Sequence, residues 1–332
     1  MAQRIAIAFG AGLVAALLFV VGAKPTALAM ILPFLAPLPI VIVSLNWGVD
    51  MGATAVFTAA GGVAVADPAS AAVFGVAIAL PAWALSGLAS LRSRFFNPAR
   101  SDPDRSFEWC PIGAVVTAAA IIGALIGLAA LISLIVVYSG YERGVDELSK
   151  QIAPVFEHTF GDFIALPVGV TFEQFINEMV REAPPILAPA VFLLLCGNLY
   201  VGARVAQISQ ALKRPWPDLP ESLILPRALA VALVICLGLA FLLGGPYRLA
   251  AWIVVGVFAT AFALQGLATA HALTRGLQYR NPLLFVLYLA CALESQWIAP
   301  VLALAGAAES FLSLRAKRVA AIKPKALNQR ES

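Results

Sequence analysis

The chain has 332 residues, 61% of them hydrophobic and 12% charged, with a mean hydropathy of +0.91 and a formal net charge of +4. Soluble domains hold roughly half apolar and a quarter charged residues, so a water-soluble fold is excluded because no interior could take up these side chains. The basic excess sits where a topology signal explains it better than nucleic acid, which is not expected as a partner.

Apolar segments run Ile5 to Gly22, Ala27 to Leu45, Val49 to Ala66, Ala69 to Leu91, Pro111 to Ser139, Ile186 to Gln207, Ala228 to Gly244, Leu249 to Leu273, Pro282 to Leu293 and Trp297 to Leu314. A helix needs about 20 residues to cross the hydrocarbon core, and in lipid every backbone polar group must pair within the protein. The alternating ten-residue pattern of a barrel strand is missing. The expected fold class is therefore all-α, a polytopic transmembrane helical bundle of about ten spans with the lipid bilayer as its solvent. It divides into an N-terminal membrane half (1–139), an acidic extracytoplasmic loop with amphipathic helices (140–183), a C-terminal membrane half (184–314) and a basic tail (315–332).

The first segment follows Arg4 and precedes Ala27-Leu28-Ala29, a cleavage-like string, but its apolar stretch is long for a signal peptide, so a retained span is expected. With the N-terminus inside, all but Lys24, Arg143, Lys150, Arg181 and Arg248 of the 22 Lys and Arg fall on the cytoplasmic side. That asymmetry is what the positive-inside rule requires, and it predicts both ends in the cytoplasm of a bacterial inner-membrane protein. The same rule splits Pro282 to Leu314 into a hairpin turning at Glu294-Ser295-Gln296-Trp297, because one long helix would carry the basic tail outside.

Small residues recur at four-residue spacing in Ala71, Gly75 and Ala79 and in Ala119, Gly123 and Gly127, the pattern that lets helix backbones approach in lipid. Pro33, Pro37 and Pro39 in LPFLAPLPIV remove backbone donors, so the second span must bend or break. Irregular backbone at membrane depth lines cavities in transporters, although a purely structural kink explains it equally well. The outer segment Tyr141 to Ala183 is acidic. Thr171 and Gln174 form a capping-box pair there, and Phe172, Phe175, Ile176, Met179 and Val180 follow at helical spacing. Val145, Leu148, Ile152 and Val155 suggest a second stripe, and two helices on the outer face, or a lid or docking surface, are expected.

Candidate ligand-binding residues are Pro33, Pro37, Asn198, Tyr200, Arg204, Gln265, His271 and Glu309. Tyr200, Arg204 and Gln207 share one helical face, a polar stripe that should meet protein, water or headgroups. Glu309 among apolar residues requires a cation, so an ion pair with Arg315 is expected, with Arg275, Arg204 and His271 as other partners.

No phosphate loop, nucleophile elbow or HExxH string occurs, and His158 and His271 are expected on opposite sides of the membrane. No catalytic residue, cofactor or metal site is expected. Glu157, His158 and Asp162 read as a solvated acidic loop, and Cys110, Cys196, Cys236 and Cys291, far apart in sequence, as packing residues. Two functions remain: a non-enzymatic bundle that binds or transports a small molecule, or an envelope scaffold that holds partner proteins.

The strings QGLATAHAL (Gln265 to Leu273) and LAGAAESFLSLR (Leu304 to Arg315), with the proline-bearing second span, resemble the YybS-type family of predicted bacterial membrane proteins, domain of unknown function 2232. Family members tend to carry Asp followed by Arg in the last helix, where this chain has Glu309 and Arg315. The resemblance implies a fold distantly similar to energy-coupling-factor substrate-binding subunits and MreD-like proteins, and no substrate.

Overall fold

In the computed structural model, the described residues are 1–22, 26, 29–93, 108–161, 164, 166 and 169–318. Lys24, Arg94, Arg100, Arg105, Asp162, Lys323, Lys325 and Arg330 lie outside them.

Proline and glycine set most of the element boundaries. Helix α1 (Ala2–Gly22) is followed by a 3-10 turn (Ala29–Leu35) and by α2 (Pro37–Trp47), whose first residue needs no helical donor. Gly48, at φ 110°, turns the chain into α3 (Val49–Ala66). Asp67 caps α4 (Pro68–Phe74) by accepting from the Ser70 backbone N–H at 2.9 Å. A π turn (Gly75–Ala79) then leads into α5 (Leu80–Ala89). It stands just before Pro81, which has no N–H to offer the Ala77 carbonyl one turn back.

Two short antiparallel strands, β1 (Arg92–Ser93) and β2 (Glu108–Trp109), join α5 to α6 (Ile112–Val137). Then come α7 (Tyr141–Phe160), α8 (Phe172–Ile208), the short α9 (Leu219–Ser222), α10 (Arg227–Leu242), α11 (Gly245–Leu273), α12 (Arg280–Leu293) and α13 (Ser295–Leu312). Among the described residues, six helical stretches are long and apolar enough to cross a membrane: Ala2–Gly22, Val49–Ala66, Pro68–Ala89, Ile112–Val137, Phe172–Ile208 and Gly245–Leu273. The all-α membrane bundle is present with six such spans against an expected ten. The remaining expected segments form the shorter α2, α10 and α12 and the 18-residue α13.

Close helix crossings rest on small residues, but not all on those expected. The Ala119, Gly123 and Gly127 row does meet α8, where a Cβ on Gly123 or Gly127 would strike Phe192 or Ala188. The Ala71, Gly75 and Ala79 row is interrupted by the π turn, and Gly75 faces open space. Unanticipated are Gly12 and Gly62, which bring α1 onto α3, and Gly266 and Gly306, which bring α11 onto α13 so tightly that a Cβ on either would meet a backbone carbonyl. With dispersion and not hydrophobic exclusion holding helices together in lipid, such approaches supply much of the packing.

The acidic segment, expected to end at residue 183, continues into the next apolar segment. Its capping box forms, with Gln174 N–H donating to Thr171 Oγ1 at 3.2 Å and Thr171 N–H to Gln174 Oε1 at 2.9 Å. The helix it starts does not stop there. It runs through Pro184, Pro185 and Pro189 into the sixth apolar segment as one element of 37 residues, about 55 Å long at 1.5 Å per residue. A hydrocarbon core is about 30 Å thick, so one part of α8 projects beyond it. Helix α7 pairs with that part: Tyr141 donates to the Arg181 carbonyl at 2.6 Å, and Asn177 donates to Asp146 Oδ1 at 2.8 Å. Buried Val145, Ala153, Ile176 and Val180 pack the two helices on each other, while Val155 and Met179 of the expected stripes stay exposed, as do Glu142, Glu173 and Glu178.

Candidate functional site

The broken second span is held from α8. Pro33 lies within the 3-10 turn and Pro37 opens α2, so the carbonyls between them lose regular helical donors. Asn198, buried on α8, supplies one: its Nδ2 donates to the Phe34 carbonyl and to the Leu194 carbonyl, each at 2.9 Å. Its two amide hydrogens are thereby spent on backbone.

Gln265 makes a second closed knot. Fully buried on α11, it accepts from the Leu225 N–H at 2.5 Å and donates to the Gly306 carbonyl at 2.7 Å and to Ser310 Oγ at 2.9 Å. The hydroxyl of Ser310 in turn donates to the Leu225 carbonyl at 3.1 Å. One side chain thus ties the approach to α10, α11 and α13 together.

Glu309 and Arg315 are brought together at the end of α13. Ser313 adopts a left-handed conformation (φ 49°), which folds the chain back so that Leu314 N–H reaches Glu309 Oε2 at 2.8 Å. The Arg315 guanidinium lies 3.6 Å from the same carboxylate and donates to Thr269 Oγ1 at 2.7 Å and to the Gln265 carbonyl at 3.2 Å. Both charged residues are at most 5% exposed. Burial of two charges is tolerated when each is paired and hydrogen-bonded. Of the other cations considered for Glu309, Arg275 instead holds Asp218 through two bonds of 2.7 and 2.6 Å, with Glu221 at 3.6 Å. Those bonds hold the Asp218 carboxyl below its ordinary value.

The polar groups of α2, α8, α11 and α13 therefore do not enclose one polar cavity. A cavity of about 840 Å³ lies elsewhere, between α2, α5, α6, α8, α11 and the 209–226 connection. Ile112, Val116 and Ala119 on α6, Leu193 and Cys196 on α8, and Leu264 and Ala268 on α11 form its walls. Each helix contributes about two turns, a depth of roughly 10 Å. Of the expected ligand-binding residues only Tyr200 and His271 line it. His271 Nε2 is 2.7 Å from the Tyr288 hydroxyl of α12. Arg204 stands at the rim, its guanidinium 4.7 Å from the centre of the Trp216 ring, while the Tyr200 ring packs edge-on against that indole at 5.7 Å. Pro33, Pro37, Asn198, Gln265 and Glu309 are not part of the lining.

Sequence reading passed over Lys213, Arg214 and Trp216 as site residues, and all three line the cavity. The available signal was KRPWP, a basic pair beside an interfacial aromatic. Arg214 is half-buried and donates to the Ala89 carbonyl at 3.2 Å. Burial pushes its guanidinium below the ordinary arginine value.

Apolar helices with Phe57, Val65, Leu242, Phe285 and Leu304 turned outward, around an interior whose buried Asn198, Gln265 and Glu309 are hydrogen-bonded, define a multi-pass helical membrane protein. The model of the family described as predicted membrane protein (DUF2232) matches residues 13–307, and the chain belongs to that family, the one QGLATAHAL and LAGAAESFLSLR resemble. No curated protein and no solved structure matches it, so the likeness to energy-coupling-factor subunits and MreD-like proteins gains no support.

Proposed function

We propose that this chain is a non-enzymatic bacterial inner-membrane protein that crosses the bilayer ten times, N-in and C-in, and binds a small molecule within its bundle. The observation that carries the binding reading is the cleft itself. Its volume of about 840 Å³ falls within the usual range for ligand pockets, its walls are apolar, and a few polar groups converge at one end.

The ten-span arrangement is supported by helix direction. Chains that cross alternately must run parallel at every second span. Register along α1 and α3 has this sense, with Gly12 beside Ala55 and Gly62 beside Ala16. So does that of α11 and α13, where Gln265 meets Ser310 and Thr269 meets Arg315. Arg204, Arg214, Arg227, Arg275, Arg280 and Arg315 then belong to one end and Arg143, Arg181 and Arg248 to the other, as the positive-inside rule demands. A reporter fused after Ser332 is expected to be accessible from the cytoplasm only, and access from the periplasm overturns the orientation.

The binding reading is tested by filling the cleft. Gly197 lines it with nothing within 4 Å of where a Cβ would stand, so Gly197→Phe is expected to add bulk to the cavity from an unobstructed position. Native mass spectrometry of wild-type protein in mild detergent is expected to show a retained molecule that the variant loses. Equal retention by both rejects the reading.

A scaffold role has one observation in its favour, the α7–α8 hairpin, a long acidic projection on which Val155 and Met179 stay exposed. A partner would meet its charge and these two apolar side chains. Because α8 is continuous, a clean test shortens both arms together, from Asp146 to Asn177, and expects loss of crosslinked partner with the bundle still folded.

A further inference from the structure

Resting on the cleft reading, we infer that the occupant is an anionic phospholipid of the inner leaflet, with an acyl chain between α6, α8 and α11 and its phosphate at Arg214. Three observations converge on this ligand.

Charge at the cleft has one sign. Lys213 and Arg214 are the charged residues among its described lining, and no described Asp or Glu lines it. Arg214 is half-buried, lines the cleft and has only the Ala89 carbonyl as a described hydrogen-bond partner. Arg275, Arg181 and Arg315 have acidic partners, at 2.6, 2.7 and 3.6 Å, and half-buried Arg318 is held by two carbonyls, those of Ala272 and Arg275, where Arg214 has one. A desolvated cation without a counter-charge is costly, and a phosphate within reach of its planar fork removes that cost.

The rest of the site has the polarity of a lipid. Beyond the mouth the walls are apolar for roughly 10 Å, a lining that would strand a fully polar anion. Trp109, Tyr200 and Trp216 surround the mouth, as aromatic rings do at headgroup level. On the proposed topology that level is the cytoplasmic one, where basic pockets between helices take anionic headgroups. We assign entry from the bilayer to the side of α12, which has no buried residue and meets the cleft through Tyr288.

The full chain is reconstituted in nanodiscs of equimolar phosphatidylglycerol and phosphatidylcholine, extracted, and the retained lipid identified by native mass spectrometry. Wild type is expected to retain phosphatidylglycerol in preference. Arg214→Gln is expected to lower that preference about tenfold, the effect of losing one charged hydrogen bond, with an unchanged thermal midpoint. Arg248→Gln, an exposed arginine in the first turn of α11, is expected to leave it intact.

Equal retention of both lipids overturns the anionic headgroup while leaving the cleft reading standing. Displacement of phosphatidylglycerol by millimolar inorganic phosphate overturns the lipid in favour of a soluble anion. Retention that survives Gly197→Phe places the lipid outside the cleft and overturns both.

Discussion

Asn198 on α8 donates its amide to the carbonyl of Phe34, 164 residues earlier, across 2.9 Å in the interior of the bundle. The bond turns a proline break, a liability in lipid, into a fixed joint between the N-terminal and C-terminal halves. Asn198→Leu keeps the volume and removes the donor. An unsatisfied buried carbonyl costs about 1–3 kcal/mol, so the variant is expected to unfold at lower denaturant in detergent, with a helical content equal to wild type at low denaturant. An unchanged midpoint would show that another donor reaches Phe34.

Glu309 and Arg315 form a buried pair, and removing one partner leaves the other charge exposed to a poor environment. Glu309→Leu and Arg315→Met are each expected to destabilise by about 3–5 kcal/mol, and the double substitution by less than either. A double-mutant cycle on unfolding free energies measures this. Additive losses would mean that each residue acts through other contacts, such as Arg315 through Thr269.

Gly266 and Gly306 stand where α11 and α13 touch backbone to backbone, a Cβ on the first meeting the Leu302 carbonyl and on the second the Phe262 carbonyl. Gly306→Ala is expected to force these helices apart and lower the thermal midpoint. Gly238→Ala, in α10 with nothing within 4 Å, is expected to raise it slightly, since alanine is favoured over glycine by up to about 1 kcal/mol in a helix. Equal responses would contradict the close crossing.

Asp218, at the head of α9, is bridged to Arg275 at the end of α11, and that bridge lowers its carboxyl from the ordinary value of 3.8. A carboxyl lowered by folding stabilises the folded state above its ordinary value and loses that contribution as pH falls through its lowered one. Wild type should therefore exceed Asp218→Asn in thermal midpoint at pH 6, and the gap should close on acidification below pH 3.8. Both side chains are near half exposed, so the gap is small. A gap that persists at low pH would assign the effect to something other than charge.

The second span shows where sequence reading succeeds and where it stops. Pro33 and Pro37 announce a break through covalent chemistry alone, with no partner needed, and Glu309 announces the need for a cation in the same way. Which group repairs the break is a fact of distance: Asn198 could be expected to turn toward protein, but not toward Phe34. In the acidic segment the capping box and apolar stripes are local and were readable, whereas the continuity of α8 through Pro184, Pro185 and Pro189 depends on packing against α6 and α7.

Composition and the spacing of apolar runs by themselves determined the solvent and the helical class of this chain, because transfer of side chains from water and pairing of the backbone in lipid depend on residue type alone. Only the tertiary structure decided that Asn198, Gln265 and Glu309 are spent on partners inside the bundle, and that a cleft opens beside an arginine with no described acidic partner. Hydrogen bonds are satisfied within a few ångströms, and residues 40 to 164 positions apart in the chain become neighbours only once the helices pack.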